Sequence, residues 1–148
     1  MRGRFLLLVS LLLGCMVLPA HGQACVASPE VPRAELASVL KRGGFSGVLD
    51  DSASVRLAGC LRGAGEELRV YYYERVSGSA RRMTSRLIAV SNVAGYLGMY
   101  AVSGPPSAVR EDRIVFPLPE EHGNVIAVRD GKLPRQVLID GELLDLFK

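Results

Sequence analysis

Apolar and polar positions along this chain change period once. From Ser28 to Gly44, Leu36, Val39 and Leu40 recur at spacings of three and four, the period of one helical face, and Pro29 and Pro32 suit a first turn. Gly43 and Gly44 mark the end of the helix. Lys41 and Arg42 fall in its last turn, where positive charge opposes the negative end of the helix dipole. A helix of about three turns is not stable in isolation, so its apolar stripe must pack on another element.

Beyond Phe45 the period is two. Val55, Leu57 and Leu61 alternate, the turn residues Gly63, Ala64 and Gly65 intervene, and the alternation resumes at Leu68, Val70, Tyr72 and Val76, which predicts a hairpin. Further strands are predicted over Met83 to Val90, Tyr96 to Val102 and Arg113 to Phe116, divided by turns at Ser77 to Ala80 and Ser91 to Ala94 and by the break at Gly104, Pro105 and Pro106. Pro117 to Gly123 reads as the longest loop of the carboxyl half. Asp130-Gly131 follows Val125 to Arg129, and Asp140-Gly141 separates Val137 to Ile139 from Leu143 to Leu146. Asp-Gly between apolar runs signals a two-residue hairpin turn, because both central residues of such a turn need positive φ. The expected fold is mainly β within the α+β class: one short N-terminal helix packed on an antiparallel meander of about seven or eight strands. Closure or curling into a small barrel would hide the edge strands.

The amino terminus departs from both periods. Arg2 and Arg4 precede an apolar run from Phe5 to Leu18, which Pro19 ends. That run is shorter than the roughly 20 residues a membrane span needs and has the length of a signal-peptide core. Ala20 and Gly22 then place small residues before a cut that leaves Gln23 first; Ala24 offers a second cut. The chain is thus expected to divide into a signal peptide, 1–22, and a single exported α+β domain, 23–148, in the periplasm or outside the cell. Leu12 to Cys15 also resembles a lipobox, but Met16 to Leu18 prolong the apolar run past Cys15 where a lipoprotein turns polar, which argues against a lipid anchor there. No membrane span is expected in the mature domain.

Cleavage changes charge and cysteine count. Two of the 18 Lys and Arg residues leave with the signal peptide, so 16 basic residues stand against 15 acidic ones. A nucleic-acid binder normally carries a strongly basic face, and this balance offers none. Cys25 and Cys60 remain, and an even count outside the cytosol reads as a disulfide. That link would close a loop of about 35 residues and contribute roughly 3 to 4 kcal/mol by restricting the unfolded chain.

Motifs for catalysis are weak. Ser38 and Lys41 fit S-x-x-K, yet no K-T-G or S-D-N partner accompanies them, and no G-x-S-x-G elbow occurs. His122, the sole histidine after cleavage, follows Glu120 and Glu121; a metal centre would need more ligands than this loop supplies. Asp50 and Asp51 read as turn residues. No catalytic residue, metal site or cofactor is assigned.

The segment Leu68 to Arg75 stands out. Alternation sends Leu68, Val70 and Tyr72 to one face and Arg69, Tyr71, Tyr73 and Arg75 to the other, and the next strand adds Arg82, Thr84 and Arg86 beside the second set. Tyrosine and arginine are over-represented in protein interfaces because each joins a large contact area to a directed polar group. Arg69, Tyr71, Tyr73, Arg75 and Arg82 are therefore the expected binding residues. Tyr96 and Tyr100 flank Gly98, a strand glycine of the sort that admits a close neighbour. The function these features suggest is an exported, non-enzymatic binding protein of the inhibitor or immunity type, acting on a protein partner. A lipocalin-like carrier of a small apolar ligand, held inside the barrel, is the alternative. A hydrolase built on His122 ranks third.

Overall fold

A computed structural model describes residues 33–62, 65–118 and 123–148. The signal segment 1–22, the Cys15 lipobox, Cys25, Pro29, Pro32 and the loop residues Glu120, Glu121 and His122 lie outside the described residues. Helix α1 spans Arg33–Arg42 and buries Leu36 and Leu40, one turn apart on one face. It ends through backbone bonding that its two glycines permit. Gly44, at φ 87°, donates from its amide to the Lys41 carbonyl (3.3 Å), and the Phe45 amide reaches back to the Leu40 carbonyl (3.0 Å). This closing turn sends Phe45 back toward the sheet.

The sheet is a four-stranded antiparallel meander of β1 (Ala53–Arg62), β2 (Glu67–Ser77), β3 (Arg82–Ser91) and β4 (Gly95–Ala101), in sequence order. Pairing of Tyr72 with Arg56 and Leu87 fixes the register around β2. Leu68, Val70, Tyr72, Leu87 and Tyr100 fall on one face, and Tyr71, Tyr73, Ile88, Val90, Tyr96 and Met99 on the other. Each face has its own cover. Helix α1 and Phe45 lie over the second set, while residues from the carboxyl half lie over the first.

That carboxyl half forms two small sheets. Strands β5 (Ala108–Arg110), β6 (Arg113–Val115) and β7 (Val125–Ala127) make one, and β8 (Gln136–Ile139) with β9 (Glu142–Asp145) makes the other. Ile114, Phe116, Ile126, Val128, Val137 and Ile139 from this half fill the space against the first face. Both Asp-Gly pairs adopt the predicted hairpin turn, with φ of 52° and 71° at Asp130 and Gly131 and of 52° and 79° at Asp140 and Gly141. Mainly β architecture with one short helix therefore stands. The meander of seven or eight strands is limited to the first four; the remaining five belong to separate sheets, and no barrel closes.

The edges that a barrel would have removed are covered in another way. On the β1 side, the Arg62 amide donates to the Glu111 carbonyl (2.8 Å). On the β4 side, Met99 and Phe147 exchange two backbone hydrogen bonds, of 2.8 and 3.0 Å. Gly98 makes the second pairing possible, since a Cβ there would stand 2.9 Å from Leu146 Cδ1 and 3.1 Å from the Phe147 carbonyl oxygen.

Gly43 is the tightest contact between helix and sheet. A Cβ at this position would meet Tyr96 Cβ at 2.4 Å, and Tyr96 is buried and cannot retreat freely. Gly43→Ala is expected to lower stability by about 1–3 kcal/mol despite the better helix propensity of alanine. Urea denaturation of wild type and variant checks this, and an unchanged midpoint would mean that helix and sheet are less closely docked.

Candidate functional site

The β2–β3 hairpin is longer than its cover. On the helix side of the sheet, Tyr71 and Tyr73 lie beneath α1 and the loop that follows it and are 6% and 2% exposed. They were expected on a face carrying Arg69 and Arg75; the structure packs them in the core instead, with Phe45 edge-on to Tyr73 at a ring separation of 5.9 Å. The Tyr73 hydroxyl donates to the Val48 carbonyl (2.8 Å), which pins the loop down. Beyond Val48 the face carries no such cover, and there the side chains are polar: Arg75 and Ser77 on β2, Arg86, Thr84 and Arg82 on β3.

Each of these arginines has a different environment. Arg75 donates from Nε to Ser52 Oγ (3.0 Å) and from Nη2 to Asp50 Oδ2 (3.1 Å). The Ser52 hydroxyl and amide, followed by Arg75, hold the Asp50 carboxyl below the usual carboxylate range. Arg86 lies with its guanidinium 5.6 Å from the Phe147 ring centre and spends one N–H on the Ser85 carbonyl (2.9 Å). Arg82 is exposed, and its side chain makes no hydrogen bond or ion pair among the described residues. Arg69 sits at the opposite end of β2, paired with Glu67 at 3.1 Å. The expected set is therefore divided: two tyrosines in the core, Arg75 and Arg82 at the open end, Arg69 far along the strand.

Register brings Arg75 and Arg86 close. Arg75 is opposite Thr84, Tyr73 is opposite Arg86, and the two guanidinium-bearing residues are diagonal neighbours. They border a pocket of about 200 Å³ with Tyr73 and Met99 at its floor and Phe45, Val48 and Phe147 among its walls. Phe147 comes from the segment paired to β4, far along the chain from Phe45, and no periodicity in the sequence places the two together. Thr84 also lines this pocket, and its hydroxyl makes no hydrogen bond among the described residues.

A second, larger concavity of about 560 Å³ lies between α1 and the β3–β4 turn, with Leu36, Val39, Tyr71 and Tyr96 among its lining residues. Its charges offset one another: Arg42 is accompanied by Glu35, and Arg69 already holds Glu67. Among the described residues no group of three or more His, Cys, Asp and Glu gathers as a metal site would require, and Ser38 and Lys41 are exposed on α1. No described helix is long and apolar enough to cross a membrane.

The chain matches no protein-family model, no curated protein and no solved structure. The site therefore rests on its geometry.

Burial perturbs several tyrosines. It pushes the Tyr96 hydroxyl up to about 12 and is the first cause of the raised values of Tyr100, Tyr73 and Tyr72. In the unfolded chain these groups ionise near pH 10, so above that pH the native state holds more protons than the unfolded one. Stability is accordingly full below about pH 10 and falls as pH climbs toward 12. Among the described residues the Tyr96 hydroxyl also has no hydrogen-bond partner, although it is buried. Tyr96→Phe removes that unpartnered group, and is expected to leave stability at neutral pH within about 1 kcal/mol of wild type while reducing the alkaline loss. Urea midpoints measured across this range decide the matter; a large loss in the variant at neutral pH would reveal a partner for the hydroxyl.

Proposed function

We propose that this is an exported, non-enzymatic binding protein and that the open end of the β2–β3 hairpin is its partner surface. The observation that carries the reading is the arginine group Arg75, Arg82 and Arg86 on one uncovered face, with a single close carboxylate, Asp50, among its contacts. Arginine is enriched at interface hot spots because a planar fork of donors can be satisfied by a partner while its stem packs on apolar surface. Val48 and Phe147, both exposed, border this face beside Arg75 and Arg86 and provide that apolar contact area.

Export, through cleavage after Gly22, is part of the proposal and rests on the charged, apolar and small-residue pattern of 1–22. So is the Cys25–Cys60 disulfide. Cys60 lies on β1 opposite Arg69, on the face of the sheet that α1 covers, and the chain enters α1 at Arg33, a few residues after Cys25. A carrier function inside a barrel loses its principal support, because the sheet does not close and apolar side chains occupy the space between its layers.

The test is capture from the native extracytoplasmic fraction with tagged wild type and with the double variant Arg75→Glu, Arg82→Glu. Wild type is expected to retain one protein stoichiometrically, and the variant, shown by circular dichroism to be folded, to lose it. Equal capture by both removes the surface. Intact mass of the same bait is expected to begin at Gln23 and to be two hydrogens lighter than the fully reduced chain.

A further inference from the structure

We infer that the pocket between Arg75, Arg86, Phe45 and Phe147 holds the C-terminal residue of the partner polypeptide, with its carboxylate on the arginines and its apolar side chain against the Phe45, Val48 and Phe147 walls. This rests on the reading of the hairpin end as a partner surface and adds the chemistry that the surface recognises.

Three properties of the pocket lead there. The first is charge. Arg86 uses one N–H on the Ser85 carbonyl and Arg75 directs two donors at Ser52 and Asp50, so each guanidinium keeps further donors, and the Thr84 hydroxyl beside them is unengaged among the described residues. Asp50 already offsets the charge of Arg75, so an incoming carboxylate meets Arg86 first, with the Thr84 hydroxyl and the remaining donors of Arg75 beside it.

The second is polarity below that rim. Tyr73 and Met99 close the pocket from beneath but are almost wholly buried, with the Tyr73 hydroxyl committed to Val48, so the apolar surface within reach is that of the Phe45, Val48 and Phe147 walls. An aspartate or glutamate side chain would bring its charge on a short stem and leave these walls without an apolar partner. An apolar residue at a chain end carries the side chain and the carboxylate on one Cα, which matches a pair of arginines beside apolar walls.

The third is size. The volume of about 200 Å³ falls below the roughly 300–1,000 Å³ of pockets that engulf a whole small molecule. It accommodates one anchoring residue, and the remainder of the partner would run over Val48 or along the hairpin toward Arg82, both of which are exposed.

The experiment is an NMR titration of the isotope-labelled mature protein with three probes: the peptide acetyl-Gly-Gly-Phe with a free carboxylate, the same peptide as its C-terminal amide, and 3-phenylpropionate. The free-acid peptide is expected to shift the amide signals of Thr84, Arg86 and Phe147 in a saturable manner, and to bind at least about tenfold more tightly than the amide or the small acid. Arg86→Gln is expected to weaken the free acid by about tenfold and to bring it to the level of the amide; Thr84→Val, which leaves both cations in place, gives a smaller loss in the same direction. Equal binding of acid and amide, or no change with either variant, overturns the carboxylate assignment. Binding of 3-phenylpropionate as tight as that of the peptide would show a site for small acids and overturn the polypeptide assignment. If the probes fail while capture of a partner by wild type still depends on Arg75 and Arg82, the surface stands and the terminal anchor is wrong.

Discussion

Four consecutive residues of β2, Val70 to Tyr73, are buried, and the remainder of the structure follows from that. Alternation along a strand sends two of them to each side, so neither side of the central sheet can face water. Fully burying a large apolar side chain is favourable by roughly 1.5–3 kcal/mol, and a sheet covered on one side only would forfeit half of these terms. The helix meets the need on one side and the two small carboxyl sheets on the other. The barrel that would have closed the edges becomes unnecessary once Glu111 and Phe147 occupy them.

The same constraint explains why a site arises where it does. Ten residues of helix and the cap that follows reach only part of the way along an eleven-residue strand. Where the cover ends, β2 and β3 change from tyrosine and isoleucine to arginine, serine and threonine on that face. The Phe45 ring is brought there by the helix-ending glycines, and the Phe147 ring by pairing across Gly98. A pocket with aromatic walls and a cationic rim is the result of three segments ending at one place. Stability and recognition thus draw on adjacent parts of one strand, with Tyr71 and Tyr73 serving the core and Arg75 the surface.

Much of this architecture was legible. The helix period, the glycines at its end and both Asp-Gly turns appear in the structure where the pattern put them, because each depends on short-range sterics and hydrogen bonding. Grouping of Arg69, Tyr71, Tyr73 and Arg75 on one side of β2 was equally direct, since it needs only the period of a strand. β5 went unpredicted: three residues with no sustained alternation carry too little signal, and their strand state comes from pairing with β6.

The sequence by itself determined which residues of β2 share a face, where the chain turns, and that the described body is mainly β with one helix; it missed the irregularities in β1 and β4 that put Leu61 and Tyr100 on the opposite face from Leu57 and Tyr96. Only the tertiary structure decided which stretch of each face is covered, that the nine strands among the described residues divide into three sheets, and that Phe45, Arg75, Arg86 and Phe147 meet around one pocket. The reason is range. Periodicity records the direction of a side chain relative to its own neighbours, whereas burial and encounter depend on segments brought together from distant parts of the chain, and no local pattern encodes their separation.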